Sequence, residues 1–422
     1  MAKSMLLGML TLSLSTAGFA QEPDATHKGI NDSIEQHWGM EISQQEIDAI
    51  NQAMSLGREI SRRAEKINGL PYRRDAHAKA TGCLRATFSV NGDIPAQYQH
   101  SIFSVPGQEY QAWIRFSNGD MTVQADSKPD ARGMAIKVVG VKGNKIAPEF
   151  EGPAAQDFIM TNTPAFFNRN VFDYVEDMHY LAKLQRTRYF ISLFPPRLHP
   201  RLFYRAIQTV SKTIATPLQP QYYSMLPYRI GQSVVKFSAK ACPGMVLDDK
   251  VDTSDKDFLT TNMQQHLLRK GACFDVMFQD KVPGANMPVD DASVIWSEKD
   301  SPFVPVARVM IPPQLFTSEN QQQFCENLSM NPWHGVGEWE PLGSLNRARR
   351  VVYQAVSAYR HQQNDASVAT PTDWCLPGEP DCNPLKDIIH SKPEWPLPRC
   401  FDSLTQPLDD KPRESHCERV DK

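Results

Sequence analysis

The apolar positions along this chain change period several times. Near the start, Ile47, Ile50, Met54, Ile60 and Ala64 recur at roughly helical spacing within residues 43–66, so the pattern predicts a helical arm within 21–70. Short β-rich runs bounded by Gly, Pro, Asn or Asp follow at 84–90, 110–116, 134–139 and 157–160. Residues 168–229 are polar, aromatic and broken by proline, with helical segments expected around 171–184 and 202–213. Further strand-like runs come at 233–239, 272–278, 293–296 and 306–311. Two sets of four predict a closed antiparallel barrel, because closure removes exposed edges, although a sandwich carries the same signal. Residues 346–361 read as a helix entered past Pro341 and Gly343. The expected fold class is α+β: an eight-stranded antiparallel β-barrel with surrounding helices and a Cys- and Pro-rich tail over 366–422.

The first twenty residues fall outside this scheme. Lys3, an apolar run at 5–14 and the small-residue site Gly18-Phe19-Ala20 read as a secretory signal over 1–20, cleaved after Ala20. Gly8, Thr11, Ser13 and Ser15 interrupt the run, which is too short to span a bilayer easily. A periplasmic or secreted protein with no membrane attachment after cleavage is expected. The formal charge is −3, and losing Lys3 makes it more negative, which gives no electrostatic footprint for nucleic acid or anionic lipid. A small-molecule partner is the expectation. With 41% apolar and 22% charged residues, the composition suits an ordinary soluble globular chain rather than a disordered one or a membrane bundle.

The cysteines are Cys83, Cys242, Cys273, Cys325, Cys375, Cys382, Cys400 and Cys417. An even number in an exported chain suggests disulfides, above all among the last four, which crowd the tail. There is no CxxC pair, which weakens a zinc site, and no GxSxG, Walker A or HExxH motif. His334 has no paired His or Cys nearby and reads as structural.

Four segments carry candidate chemistry. On a helix over 346–361, Arg349 and Tyr353 are four residues apart, Ser357 continues the row and Arg360 lies about two turns beyond Tyr353. A phenol is neutral at pH 7, and a neighbouring guanidinium favours the phenolate that a metal ligand requires. The same helix also suits a core tyrosine with solvated arginines. The second segment places His77 just before a predicted strand, three residues after Arg74. The third runs from Trp113 through Arg115, Phe116 and Ser117 to Gly119, and on through Asp126 to Arg132 and Gly133. The fourth holds Asn162, Thr163, Pro164, Phe166 and Phe167.

In this order, the segments resemble the catalase family. That family has a distal histidine in His-Ala-Lys, an Arg-Phe-Ser strand, an Asp-x-Arg-Gly-x-Ala-x-Lys strand, an Asn-Thr-Pro-x-Phe-Phe segment and a helical Arg-x-x-x-Tyr; this chain has all five. The resemblance runs over about 70–365 and is thinnest between 168 and 229. It implies a haem domain over 71–365, with barrel strands at about 84–160 and 233–311 and a proximal helix at 346–361. By position it makes His77 the distal acid/base, Asn162 its polar partner, Ser117 the hydroxyl orienting the imidazole, Tyr353 the axial ligand to iron and Arg349 the stabiliser of its tyrosinate. It further assigns Arg74, Arg115 and Arg360 to the haem propionates, Asp126 to the access channel, and Phe116 and Phe167 to packing against the macrocycle. The implied cofactor is haem b, held non-covalently since no CxxCH occurs.

The chain also departs from the family. It is short, the usual tail helices are replaced by the Cys- and Pro-rich tail, and Gly119 stands where a valine normally narrows the channel. These differences resemble a smaller catalase-related branch. A wider channel would admit organic hydroperoxides and an organic reductant, so peroxidase activity is expected beside hydrogen peroxide decomposition. Two other activities fit part of the pattern. An exported haem carrier would need Tyr353 and the arginines but not His77, Ser117 and Asn162 together; an allene oxide synthase type of enzyme has a threonine where Ala76 precedes His77. A homo-oligomer is among the assemblies the resemblance allows.

Overall fold

The alternation of apolar and polar residues between positions 80 and 311 builds strands with one face inward and the other outward. A computed structural model describes residues 42–194, 196–247, 252–379 and 382. The expected leader, most of the arm before the first described helix, Cys400 and Cys417 lie outside them. The chain divides into a unit over 1–47, of which only 42–47 are described, and a second unit over 48–422.

In chain order the main elements are α1 (Gln44–Asn68), β1 (Ala80–Val90), β2 (Glu109–Asn118), β3 (Arg132–Val138), β4 (Gln156–Thr161), α2 (Val171–Ala182), α3 (Pro200–Val210) and β5 (Tyr222–Tyr223). There follow β6 (Ser233–Ala241), α4 (Phe258–Leu267), β7 (Ala272–Asp280), β8 (Val304–Ile311), α5 (Glu319–Asn327) and α6 (Ser344–Gln363). Each strand pairs antiparallel with its predecessor and β8 returns to β1, so β1–β8 close into an up-and-down barrel. The short strands Tyr228–Ile230 and Trp339–Pro341 extend the sheet beyond β6.

The barrel interior is filled by inward-facing side chains, Leu84, Phe88, Ile114, Phe116 and Ile136 among them, each essentially inaccessible to solvent. Phe158 meets Phe88, Phe103, Phe237 and Trp339 with ring centroids 5.2–6.1 Å apart. Burying each such ring removes a large apolar area from water, worth roughly 1.5–3 kcal/mol apiece. Outside the barrel, Met54, Ile60 and Ala64 of α1, Met178 of α2, and Val352 and Val356 of α6 form a separate apolar cluster. The helical arm therefore packs against α6 through the face its spacing marks out. No described helix is long and apolar enough to cross a membrane.

One expected strand is wrong. Residues 293–296 form a loop in which Asp291 Oδ1 accepts from the Ser293 amide at 3.0 Å and from its hydroxyl at 2.6 Å, a side-chain turn that replaces ladder pairing. Their alternation comes from burying Val294 and Trp296 against other elements. The barrel strand in question is β5, in the region read as interrupting the sheet, and two residues are too few to show a period. Helices α4 and α5 also went unread. α5 is mostly polar, buries Phe324 and Cys325, and is capped by Ser318, whose Oγ accepts from the Gln321 amide.

Two disulfides join described residues, Cys242–Cys273 and Cys375–Cys382. The tail segment around the second is also tied to the outer face of the barrel: Arg85 pairs with Glu379 at 2.7 Å, and Trp113 Nε1 donates to the Asp373 carbonyl at 2.9 Å.

Candidate active site

A cavity of about 330 Å³ lies outside the barrel, between strands β2–β4 and helices α1, α2 and α6. Its barrel wall is set by register. Ser117 of β2 pairs with Gly133 of β3, and Gly133 pairs with Thr161 of β4, so three cavity-lining positions stand side by side across the sheet. His77 lies over this row with Nδ1 3.0 Å from Ser117 Oγ. A Cβ at Gly133 would fall 2.6 Å from His77 Nδ1 and 2.8 Å from Ser117 Oγ, so only glycine leaves room for the imidazole.

The His77 backbone has φ 57°, a left-handed conformation uncommon for a side chain of this kind. It is held from both sides: its amide donates to the Gly119 carbonyl at 3.0 Å, and its carbonyl accepts from Arg115 Nη2 at 2.9 Å. What surface the ring retains opens into the cavity. Burial, with the Arg115, Arg74 and Arg349 charges, lowers its pKa to about 3, so the imidazole is neutral at ordinary pH. One ring nitrogen is fixed by Ser117.

Helix α6 supplies the opposite wall. Its first turn is anchored by Asp290, which accepts from the Ser344 amide and hydroxyl at 2.7 and 2.6 Å. Arg349, Tyr353, Ser357 and Arg360 all line the cavity, as their helical spacing implies. Arg349 Nε donates to the Tyr353 hydroxyl at 3.2 Å, its guanidinium carbon lies 5.1 Å from the phenol ring centroid, and Asn346 Oδ1 accepts from its Nη1 at 3.0 Å. The phenol oxygen thus faces the cavity beside a fixed positive charge.

A group of guanidiniums gathers at one side. Arg74, Arg115 and Arg360 all reach the cavity wall, and Glu326 of α5 lies 3.4 Å from Arg74, 3.8 Å from Arg115 and 3.9 Å from Arg73. Backbone carbonyls hold them: Arg74 donates to Leu328 at 2.7 Å, and Arg360 donates to Glu326. Although burial opposes it, Arg74, Arg115, Arg360 and Arg73 keep the Glu326 carboxyl below its ordinary range. Nε of Arg115 is buried with no acceptor.

Comparisons with known proteins agree with this architecture. The family model described as Catalase matches residues 63–190. The peroxisomal catalase of Toxoplasma gondii is 21% identical over 311 residues, covering 68% of this chain and 59% of that protein. Catalase A of Pseudomonas putida is 32% identical over 111 residues, 26% of this chain and 20% of its own length. A fungal catalase structure superposes with TM-score 0.52 at 16% identity, covering 82% of this chain and 73% of its own. Over residues 63–190 the chain is similar to catalases, and its fold is that of the solved catalase structures. Its barrel with attached helices is the catalase fold, and it spans 59% of the length of the Toxoplasma relative.

The catalase family match contains His77, Ser117, Gly133 and Asn162 but stops far short of Tyr353, so folding alone brings α6 to the cavity. Phe167 lies on the wall as expected, but Phe116 does not. Alternation along β2 sends Arg115 and Ser117 outward and Phe116 into the barrel, where it meets Tyr222 and Phe274 at centroid distances of 5.9 and 6.2 Å. Asp126 is also absent from the wall: it is buried in an ion pair with Lys79 at 2.7 Å and accepts from Asn118 Nδ2 at 2.7 Å and the Leu259 amide at 2.9 Å. Asn162 sits just behind the wall, between the lining residues Thr161 and Thr163. Its Oδ1 accepts from the Arg132 amide at 2.9 Å, and its Nδ2 is buried without a partner.

Sequence reasoning passed over Asp75, Asp130 and Asp177, acids that do line the cavity. Burial raises Asp75 and Asp130 to about 6 each. Asp75 was open to notice, two residues before His77; Asp177 emerges only once α2 is folded.

Proposed function

We propose that this chain is a haem-dependent enzyme that decomposes peroxides, acting on hydrogen peroxide and on organic hydroperoxides with an organic reductant. One observation carries the reading: His77 with its Ser117 partner and Tyr353 with its Arg349 partner line the same cavity, one on the barrel wall and the other on α6. The donor set suits haem b. Tyr353 offers a phenol oxygen to iron, held by the Arg349 guanidinium that donates to it, and Arg74, Arg115 and Arg360 suit two carboxylates, with the orphaned Nε of Arg115 in want of an acceptor. Phe167, Met178 and Val356 provide apolar lining.

Bound haem supplies iron redox chemistry tuned by a tyrosine ligand, the arrangement for which catalase is itself the standard example. The protein's own part is proton handling. Neutral His77, its Nδ1 edge fixed by Ser117, is placed to accept a proton from one peroxide oxygen and return it to the other. Gly119 lines the cavity, and a Cβ there would come within 2.9 Å of Ala131 Cβ and 3.2 Å of its carbonyl. The absence of a side chain at Gly119 supports admission of bulkier peroxides. Export through the leader at 1–20 and assembly into a homo-oligomer complete the proposal.

The test is oxygen release and donor oxidation by the haem-loaded protein after addition of hydrogen peroxide or cumene hydroperoxide. Either activity, together with haem uptake, supports the enzyme. Stable haem with neither activity makes it a carrier, and failure to take up haem ends the haem reading.

A further inference from the structure

Among the described residues, two cysteines stand outside the disulfides, Cys83 on β1 and Cys325 on α5. Both are buried in the apolar cluster of Trp113, Val139, Phe324, Leu328 and Leu376. Gln321, one helical turn before Cys325, reaches Cys83, so the two cysteines lie on facing surfaces of α5 and β1. The two elements are already clamped at this point: Gln321 Nε2 of α5 donates to the Cys83 carbonyl at 2.7 Å, and the Cys325 carbonyl accepts from Arg74 at 3.3 Å. Arg74, which holds the Cys325 carbonyl, and Arg115 both line the cavity wall.

We propose that Cys83 and Cys325 are a redox-active pair that peroxide converts to an intramolecular disulfide between β1 and α5.

The chemistry balances with one peroxide. The Cys325 sulfur attacks a peroxide oxygen, the O–O bond breaks, and a sulfenic acid and one water (or one alcohol from an organic hydroperoxide) result. The Cys83 sulfur then displaces hydroxide from the sulfenic sulfur, the S–S bond forms, and a second water leaves with the Cys83 proton. Two sulfurs lose two electrons and the peroxide gains them. The surroundings set the order of attack. Burial pushes the Cys83 thiol up, whereas at Cys325 burial is opposed by the Arg115 and Arg74 charges, and the thiol comes down. Cys325 is the nucleophile and Cys83 the resolving thiol. The pair is separate from the proposed acid/base machinery and needs no haem to react.

The experiment is non-reducing peptide mapping of the full-length purified protein, before and after a steady supply of hydrogen peroxide, with alkylation under denaturing conditions. The expected result is a Cys83–Cys325 linked peptide pair, present at purification or formed by peroxide, and lost on treatment with dithiothreitol. In Cys325→Ser, Cys83 should remain alkylatable under the same exposure. If both cysteines stay alkylatable in every sample, or either is found joined to Cys400 or Cys417, the proposal is overturned. Repeating the map on Tyr353→Phe keeps this result independent of haem.

Discussion

Ser117 Oγ lies 3.0 Å from Nδ1 of His77, on the strand immediately beside Gly133, the one residue type that leaves space for the ring. Gly133→Ala puts a methyl group 2.6 Å from Nδ1, so the imidazole or the strand must shift. The expected cost is about 1–3 kcal/mol of stability. Turnover should fall while haem still binds, and urea unfolding together with oxygen-electrode rates would show both. An alanine variant with normal turnover would mean that the ring position does not matter.

His77→Ala removes the only imidazole on the described cavity wall. Haem uptake should be retained and peroxide turnover reduced about 10²–10⁴-fold, the usual contribution of a positioned acid/base group. Steady-state rates on haem-loaded protein decide it; an undiminished rate sinks the proton-transfer role.

Two groups on the wall give opposite pH dependence to the stability of the haem-free protein. His77 is lowered from 6.5 to about 3, so between those values the unfolded chain binds the proton and the folded chain does not, and stability rises with pH. Asp75 is raised from 3.8 to about 6, so the folded chain holds the extra proton there and stability falls as pH rises. His77→Gln should therefore steepen the loss of stability on going up through this range, and Asp75→Asn should lessen that loss, with Asp130, raised to about 6 in the same way, supplying what remains. Urea midpoints at several pH values across the window measure both signs, and unchanged slopes in both variants would contradict the assigned environments.

Asp126 is predicted to act through stability rather than access. Its side chain is fully buried against Lys79, Asn118 and the Leu259 amide, so Asp126→Ala strands an ammonium and two N–H donors. Loss of about 3–5 kcal/mol is expected, because the remaining ammonium keeps the Gln124 and Lys256 carbonyls but only the half-exposed Asp257 as a counter-charge. Denaturant unfolding measures it. Full stability with altered peroxide access would restore the channel assignment.

What the sequence disclosed follows from which forces are local. Alternation along β2 is legible in the residues themselves and, taken one step further, separates Arg115 and Ser117 from Phe116 without reference to the fold. The face of α6 is equally legible, since helical spacing alone groups Arg349, Tyr353, Ser357 and Arg360. β5 is not, because two tyrosines acquire strand character only from the neighbours β4 and β6. Motif position also misled at Asp126: the residue type fits the family segment, but Lys79 and the Leu259 amide, brought in by the fold, turn it away from the cavity. Asp177 reaches the wall through α2, whose place depends on tertiary packing.

The most direct test of the account is a haem titration of the apoprotein and of Tyr353→Phe, followed by the Soret band. Wild-type protein should bind haem stoichiometrically, and the phenylalanine variant should bind at least about tenfold more weakly, a loss of ~1.4 kcal/mol or more, with its far-ultraviolet circular dichroism unchanged. Equal affinity and an identical spectrum in the variant would contradict the claim that Tyr353 holds the iron across the cavity from His77.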